Sequence, residues 1–281
     1  MHSLFQQKAK LMKTVHRILQ LSFFLLLMSA CKKDNPKTID NIPVVPGVVG
    51  FEGMAAFNNL SATEKDRIKS WNTLFVHQSV GGDLEGGCND NGYGFDYIEA
   101  SGTMVQTGLY GGLFSSSNGN PLGKIAEFKN RVALNPGKIR VVCFKFGYAD
   151  IEDATLTDVQ NAYKQMVDDF RAKGIRVLHI TPPLVYDVSY NSPKMQMRTW
   201  MLQTFTNDMI FDLQDIESRN LNDGTRCEQS GVWQICSTNR STAACPSAEQ
   251  GIDTPQQGHL CSVAATKISK AFLYAIYKAG I

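Results

Sequence analysis

The chain has little to offer metal or nucleic-acid chemistry. Its seven cysteines and five histidines contain no Cys-x-x-Cys and no His-x-x-x-His spacing, so a zinc centre is the weaker use of these residues. No charge of one sign dominates: 28 Lys and Arg face 26 Asp and Glu, the formal net charge is +2, and no basic run occurs beyond residue 33. A nucleic-acid partner is therefore not expected. There is no internal repeat, and no low-complexity tract beyond Ser115-Ser116-Ser117. Long apolar runs are missing too. The longest, residues 18–28, is broken by Gln20 and Ser22, and it falls short of the ~20 residues that cross a bilayer as a helix.

That short apolar run has another use. Lys8, Lys10, Lys13 and Arg17 precede it, and Leu27-Met28-Ser29-Ala30-Cys31 follows. A basic segment, a short apolar core and small residues before a cleavage point make a signal peptide over residues 1–30. Small residues directly before a cysteine resemble a bacterial lipobox. That resemblance implies cleavage before Cys31, lipid on its thiol, and a membrane-anchored protein of the bacterial envelope. Lys32-Lys33-Asp34 resembles the tags of lipoproteins sent to the outer membrane, at its surface or periplasmic face. Residues 31–50 carry Asn35-Pro36, Ile42-Pro43 and Val45-Pro46-Gly47 and read as the lipidated cysteine and an extended tether. Residues 51–281 suffice for one domain with a sizeable core.

The other cysteines suit an oxidising compartment. Four of them crowd the carboxyl-terminal third, and the expected pairs are Cys227 with Cys236 and Cys245 with Cys261. Cys143 lies in an apolar strand and is expected to be a buried free thiol.

Apolar periodicity alternates strands with helices. Ser61-Ala62-Thr63-Glu64 is a capping box that opens a helix. Residues 73–76, 138–146, 175–180 and 209–213 read as strands; residues 121–134, 157–173, 193–206 and 262–279 read as helices. The glycine-rich segment 81–119 reads as an irregular loop over a site. This pattern predicts an α/β fold, with a parallel sheet covered on both faces.

In such sheets ligands sit beyond the carboxyl ends of the strands. At the first of these ends, Thr73-Leu74-Phe75-Val76 runs into His77-Gln78-Ser79-Val80-Gly81-Gly82, which delivers a hydroxyl to a sharp turn. Gly258-His259-Leu260 stands just before the last helix. A serine hydroxyl needs a base within hydrogen-bond reach and fixed N–H donors for the developing oxyanion. Ser79 with His259 supplies the pair, and the backbone at Val80 and Gly81 supplies donors. The plainer alternatives are a turn serine and a histidine capping the final helix. Asp150, Glu152 and Asp153, at another strand end, admit a two-carboxylate glycosidase or a solvated acidic loop. His179, inside a strand, reads as structural, and Trp233 as packing or as a platform for a sugar.

Taken together, these residues resemble the SGNH/GDSL hydrolase superfamily. Phe75-Val76-His77-Gln78-Ser79-Val80-Gly81 stands where that family has Gly-Asp-Ser, in a divergent His-x-Ser-x-Gly form. Asn118-Gly119-Asn120-Pro121 resembles its second block, whose glycine donates an oxyanion N–H. Phe146-Gly147-Tyr148-Ala149-Asp150 aligns with its third block, Gly-x-Asn-Asp. The resemblance implies a three-layer α/β/α, flavodoxin-like fold with a central parallel sheet. It also implies an ester hydrolase that needs no cofactor. Two positions depart from the family. Ala149 replaces the third-block asparagine, with Lys145 or Tyr148 as substitutes. Gln256 stands three residues before the histidine, where the family has its acid, so either Asp253 reaches back across a bend or a carbonyl orients the ring. The implied catalytic set is Ser79, His259 and Asp253. Val80, Gly81, Gly119, His77, Lys145, Tyr148 and Asp150 are placed around the oxyanion and substrate. The expected substrate is an ester, with acyl groups on a carbohydrate the first choice. The alternative is a non-catalytic glycan-binding module on the same scaffold. The oligomeric state stays open.

Overall fold

The computed structural model describes residues 47–281. The predicted signal peptide, Cys31 and most of the tether lie outside the described residues. Seven strands form one parallel sheet: β1 (Gly47–Val49), β2 (Thr73–His77), β3 (Asp96–Tyr97), β4 (Leu109–Leu113), β5 (Val141–Phe144), β6 (Arg176–Ile180) and β7 (Met209–Phe211). Their order is β1-β7-β6-β5-β2-β4-β3. A small antiparallel pair, β8 (Glu228–Gln229) with β9 (Val232–Trp233), stands apart.

The strands are apolar on both faces, as a buried parallel sheet requires. Phe75, Val141 and Cys143 point to one side, where they pack with α1 (Gly53–Asn58), α2 (Ala62–Ser70), α3 (Val80–Asp90), α7 (Leu213–Glu217) and α8 (Ser262–Gly280). Leu74, Val76, Val142 and Phe144 point to the other, against α4 (Pro121–Ala133), α5 (Leu156–Arg171) and α6 (Ser192–Thr204). The result is the three-layer α/β/α arrangement. Without its edge strands β1 and β3, the sheet reads β4-β2-β5-β6-β7, the doubly wound flavodoxin-like order. The connection after β2 leaves to one face and that after β5 to the other, so a crevice opens past their carboxyl ends.

Three local expectations change. Gly47–Val49, assigned to the tether, pairs in register with Met209–Phe211 as an edge strand. The segment 81–119 is not an irregular loop: it holds α3, β3 and β4. Glycine argues against helix by propensity, but here it serves close packing. A Cβ at Gly81 would lie 2.2 Å from His77 Cβ, and one at Gly87 2.3 Å from the Ala265 carbonyl of α8. The strand at residues 209–213 ends at Phe211, because Asp212 caps α7 by accepting from Asp215 N. The capping box at Ser61 and Glu64 is present.

The disulfides are Cys227–Cys236 and Cys245–Cys261, while Cys88 and Cys143 are buried free thiols. His179 is structural. Its Nε2–H donates to Asp208 (2.7 Å), and its Nδ1 accepts from the Tyr163 hydroxyl (2.9 Å). Burial, opposed by Asp208, lowers the pKa of this ring.

Candidate active site

Ser79 follows β2 and immediately precedes α3. Its backbone, at φ 57° and ψ −122°, is one of two non-glycine residues with positive φ among those described. A serine held there is strained by about 1–3 kcal/mol unless its surroundings over-determine it. They do, because β2 pairs with strands on both sides, and Gly81 N–H bonds Gln78 O and Gly82 N–H bonds Ser79 O. The crowding of the turn is relieved at Gly81, which gives its Cβ space to His77. Ser79 does not cap α3 with its side chain. Its Oγ instead lies 2.6 Å from His259 Nε2.

The imidazole is oriented from behind. Asp253 Oδ1 lies 2.7 Å from His259 Nδ1, and Oδ2 accepts the His259 backbone N–H at 2.6 Å. A carboxylate only accepts, so Nδ1 carries the proton and the neutral ring turns an acceptor Nε2 to the serine. The acid thus stands six residues before the histidine rather than three. The bend between them is possible because Gly258 packs against Leu184, where a Cβ would sit 2.0 Å from the carbonyl oxygen. Gln256 faces an adjoining depression instead.

Asp83 of α3 fastens the same segment. Its carboxylate accepts from Leu260 N (3.0 Å) and Ser247 Oγ (2.6 Å). Burial raises its pKa, against those bonds and the nearby His259. Cys245–Cys261 closes the loop that contains both Asp253 and His259. Sequence reading did not find Asp83, because no local pattern links an acid in the first turn of α3 to a loop about 170 residues later.

Around Ser79 lies a depression of about 240 Å³, lined in part by Gln78, Phe114, Asn118, Tyr148 and His259. Val80 N–H opens the first turn of α3, where amide groups have no intrahelical acceptor. The other expected amide donors are engaged. Gly81 N–H bonds Gln78 O, and Gly119 N–H donates to Asp150 Oδ1 at 2.8 Å. Gly119 therefore does not offer its amide to a ligand.

Asn118, which the sequence reading passed over in favour of Lys145 or Tyr148, also lines the serine pocket. Its Oδ1 accepts from Lys124 Nζ at 2.9 Å. Lysine only donates, so this contact fixes which end of the amide is which and leaves Nδ2 as a donor with no hydrogen-bond partner among the described residues. Lys124 is held in turn by Asp150 at 2.7 Å, with both side chains buried. The segment Asn118-Gly119-Asn120-Pro121 carries this signal, one residue before the glycine.

The remaining expected residues scatter. Tyr148 lines the serine pocket with its ring edge-on to His259, centroids 5.7 Å apart; burial raises its phenol pKa, so it stays a donor. Asp150 is buried and also accepts from Gly147 N. It is not an exposed member of a carboxylate pair. Lys145 is buried, donates to its neighbour's carbonyl Phe146 O, and does not line the serine pocket. Burial penalises its charged form and lowers its pKa to about 8, and the carbonyl of Phe146 satisfies one of its donors. His77 is buried, pairs with Glu85 at 2.6 Å and faces a neighbouring depression. Trp233 is covered by the guanidinium groups of Arg198 and Arg226, 4.6 and 3.7 Å from its centroid, and is no open platform for a sugar.

Among the described residues no helix is long and apolar enough to cross a membrane, and no cluster of three metal-ligating side chains occurs. Compared with known proteins, the chain matches no family model, and no curated protein matches it.

Proposed function

We propose that this protein is a serine ester hydrolase of the SGNH type, tethered to the bacterial envelope through lipid on Cys31. The observation that carries the proposal is the chain of contacts from Ser79 Oγ to His259 Nε2 (2.6 Å) and from His259 Nδ1 to Asp253 (2.7 Å). It lies at the crevice where this fold class binds ligands.

The steps follow from that geometry. Ser79 Oγ attacks the ester carbonyl carbon, and its proton passes to His259 Nε2. The imidazolium is stabilised by Asp253. The carbonyl oxygen becomes an oxyanion facing Val80 N–H and Asn118 Nδ2. When the tetrahedral intermediate collapses, the carbon–oxygen bond to the alcohol breaks, and the alcohol leaves with the proton from His259. Water, deprotonated by the same ring, cleaves the acyl-serine and releases the carboxylic acid. An acylated carbohydrate is the first substrate to test.

A fluorophosphonate probe and a chromogenic acetyl ester test the reading. Labelling and turnover are expected in the wild type, and both are expected to vanish in Ser79→Ala. Absence of both from folded wild-type protein, with retained glycan binding, would leave a binding module on the same scaffold.

A further inference from the structure

The serine pocket continues into a second depression of about 300 Å³, and the two share Leu113 and Glu249. Glu249 belongs to the segment that also carries Asp253 and His259. A leaving alcohol must lie beside His259 Nε2 to take its proton, and this arm opens beside that segment. The backbone is bare where the arm's two carboxylates rest. A Cβ at Gly82 would lie 2.7 Å from the Glu249 carboxyl, and one at Gly111 2.5 Å from Glu85 Oε2. Glu85 is engaged by His77 at 2.6 Å. The Glu249 carboxylate has no hydrogen-bond or ion-pair partner among the described residues. Tyr97 is 60 % exposed on the same arm, and Asn89 adds an uncharged polar group. No lysine or arginine lines either depression.

Resting on the hydrolase reading above, we propose that Glu249 selects the alcohol half of the substrate, admitting an uncharged polyhydroxyl group and rejecting an acidic one. The free carboxylate accepts from hydroxyl donors, and the exposed tyrosine ring covers the C–H face of the same group. An anionic alcohol meets Glu249 with no compensating cation. At roughly 6 Å, in the intermediate dielectric of a protein surface, that repulsion is worth about a factor of ten. A cationic alcohol gains at most that same factor, since attraction at equal distance is offset by desolvation and by ordering of the two groups.

The test uses three acetyl esters that differ only in the sugar: methyl glucoside, methyl glucuronoside and methyl glucosaminide. Wild type is expected to favour the glucoside over the glucuronoside about tenfold in kcat/KM. Glu249→Gln is expected to bring that ratio near one. Glu152→Gln, in the depression on the far side of Tyr148, is expected to leave it at the wild-type value. Titration of the same sugars into Ser79→Ala reads the preference as affinity, without turnover. The proposal is overturned if the ratio survives Glu249→Gln, if it collapses in Glu152→Gln instead, or if the glucosaminide is preferred more than tenfold. Failure of the hydrolase reading has a separate signature: no fluorophosphonate labelling of the wild type, whichever sugars Ser79→Ala binds.

Discussion

Replacing Asp253 by Asn is the sharpest single perturbation of this site. The carboxylate makes two bonds to one residue, to His259 Nδ1 (2.7 Å) and to its backbone N–H (2.6 Å). In Asp253→Asn the amide oxygen still accepts the backbone N–H. The amide nitrogen then faces Nδ1, and both would be donors. The ring resolves this by giving up the Nδ1 proton and carrying it on Nε2, where it points at Ser79 Oγ and can no longer accept. The imidazolium of the transition state also loses its counter-charge. A wrong tautomer of this kind reduces kcat by ~10⁴-fold in serine proteases, about 5.5 kcal/mol of barrier. The folded state loses one charge-assisted hydrogen bond, about 1.5–3 kcal/mol. Turnover of a small chromogenic ester with saturating substrate, and urea unfolding of the same sample, measure the two losses. A kcat within tenfold of wild type, with Ser79→Ala inactive, would refute the assignment. Adding Gln256→Asp is expected to recover nothing, since that side chain faces the adjoining depression.

Asn118→Ala is expected to lower kcat by about 100- to 1000-fold with KM little changed, the loss of one oxyanion donor; a change confined to KM would make it a ground-state contact. Cys245→Ser opens the loop of 16 residues that holds Asp253 and His259. By chain entropy this removes about 3 kcal/mol of stability, seen as a lower urea midpoint, and mild reductant is expected to reproduce it in the wild type. Burial, reinforced by the Lys124 charge, lowers the Lys145 ammonium from 10.5 to about 8. For a base depressed on folding, stability is present above the unfolded pKa and lost as pH falls through the folded one. This group therefore removes about 3 kcal/mol between pH 10.5 and 8, with a flat contribution below. Lys145→Met is expected to delete that slope and to be more stable than wild type at pH 7. Lys194 is also lowered to about 8, so the variant is expected to keep a slope of similar size from that residue, about half of the wild-type total. Unfolding free energies from pH 7 to 10.5 decide the matter, and an unchanged slope refutes it.

The fold was legible in the sequence where one physical signal dominated. Strands β2, β5 and β6 are short apolar runs, and α5 and α8 show helical periodicity. Both disulfides join neighbours in sequence that fall in one loop-rich stretch. The reading failed where glycine had two meanings. Gly81, Gly82 and Gly87 look like loop residues by propensity, but they are positions of α3 where His77, Glu249 and Ala265 of α8 leave no room for a Cβ. The serine and histidine could be paired from their places at the ends of the first and last elements. The acid could be named, but whether it reached the ring depended on the close approach of Gly258 to Leu184. Asp83, Lys124 and Glu249 left no local trace, because each acts on a segment distant in sequence or through a cavity.

On the hydrolase reading proposed above, the buried Lys124–Asp150 pair bears on how an oxyanion donor is supplied when position 149 is alanine. Taking two charges out of water costs several kcal/mol per ion, and the mutual attraction of such a pair does not by itself make it stabilising. What the pair holds is more informative. Asp150 accepts from the backbone N–H of Gly119 and of Gly147 as well as from Lys124, and Lys124 also donates to Asn118. One ion pair thereby fixes the turn after β5 and the loop before α4, the two segments that flank the serine pocket. On that same hydrolase reading, a donor amide at position 149 would need only a rigid turn after β5. Supplied from Asn118, it needs that turn and the loop before α4 held in register with each other. A point charge at Lys124, bonded on both sides, does this where a hydrophobic pair of equal volume could not, since it would leave the Asn118 amide free to flip.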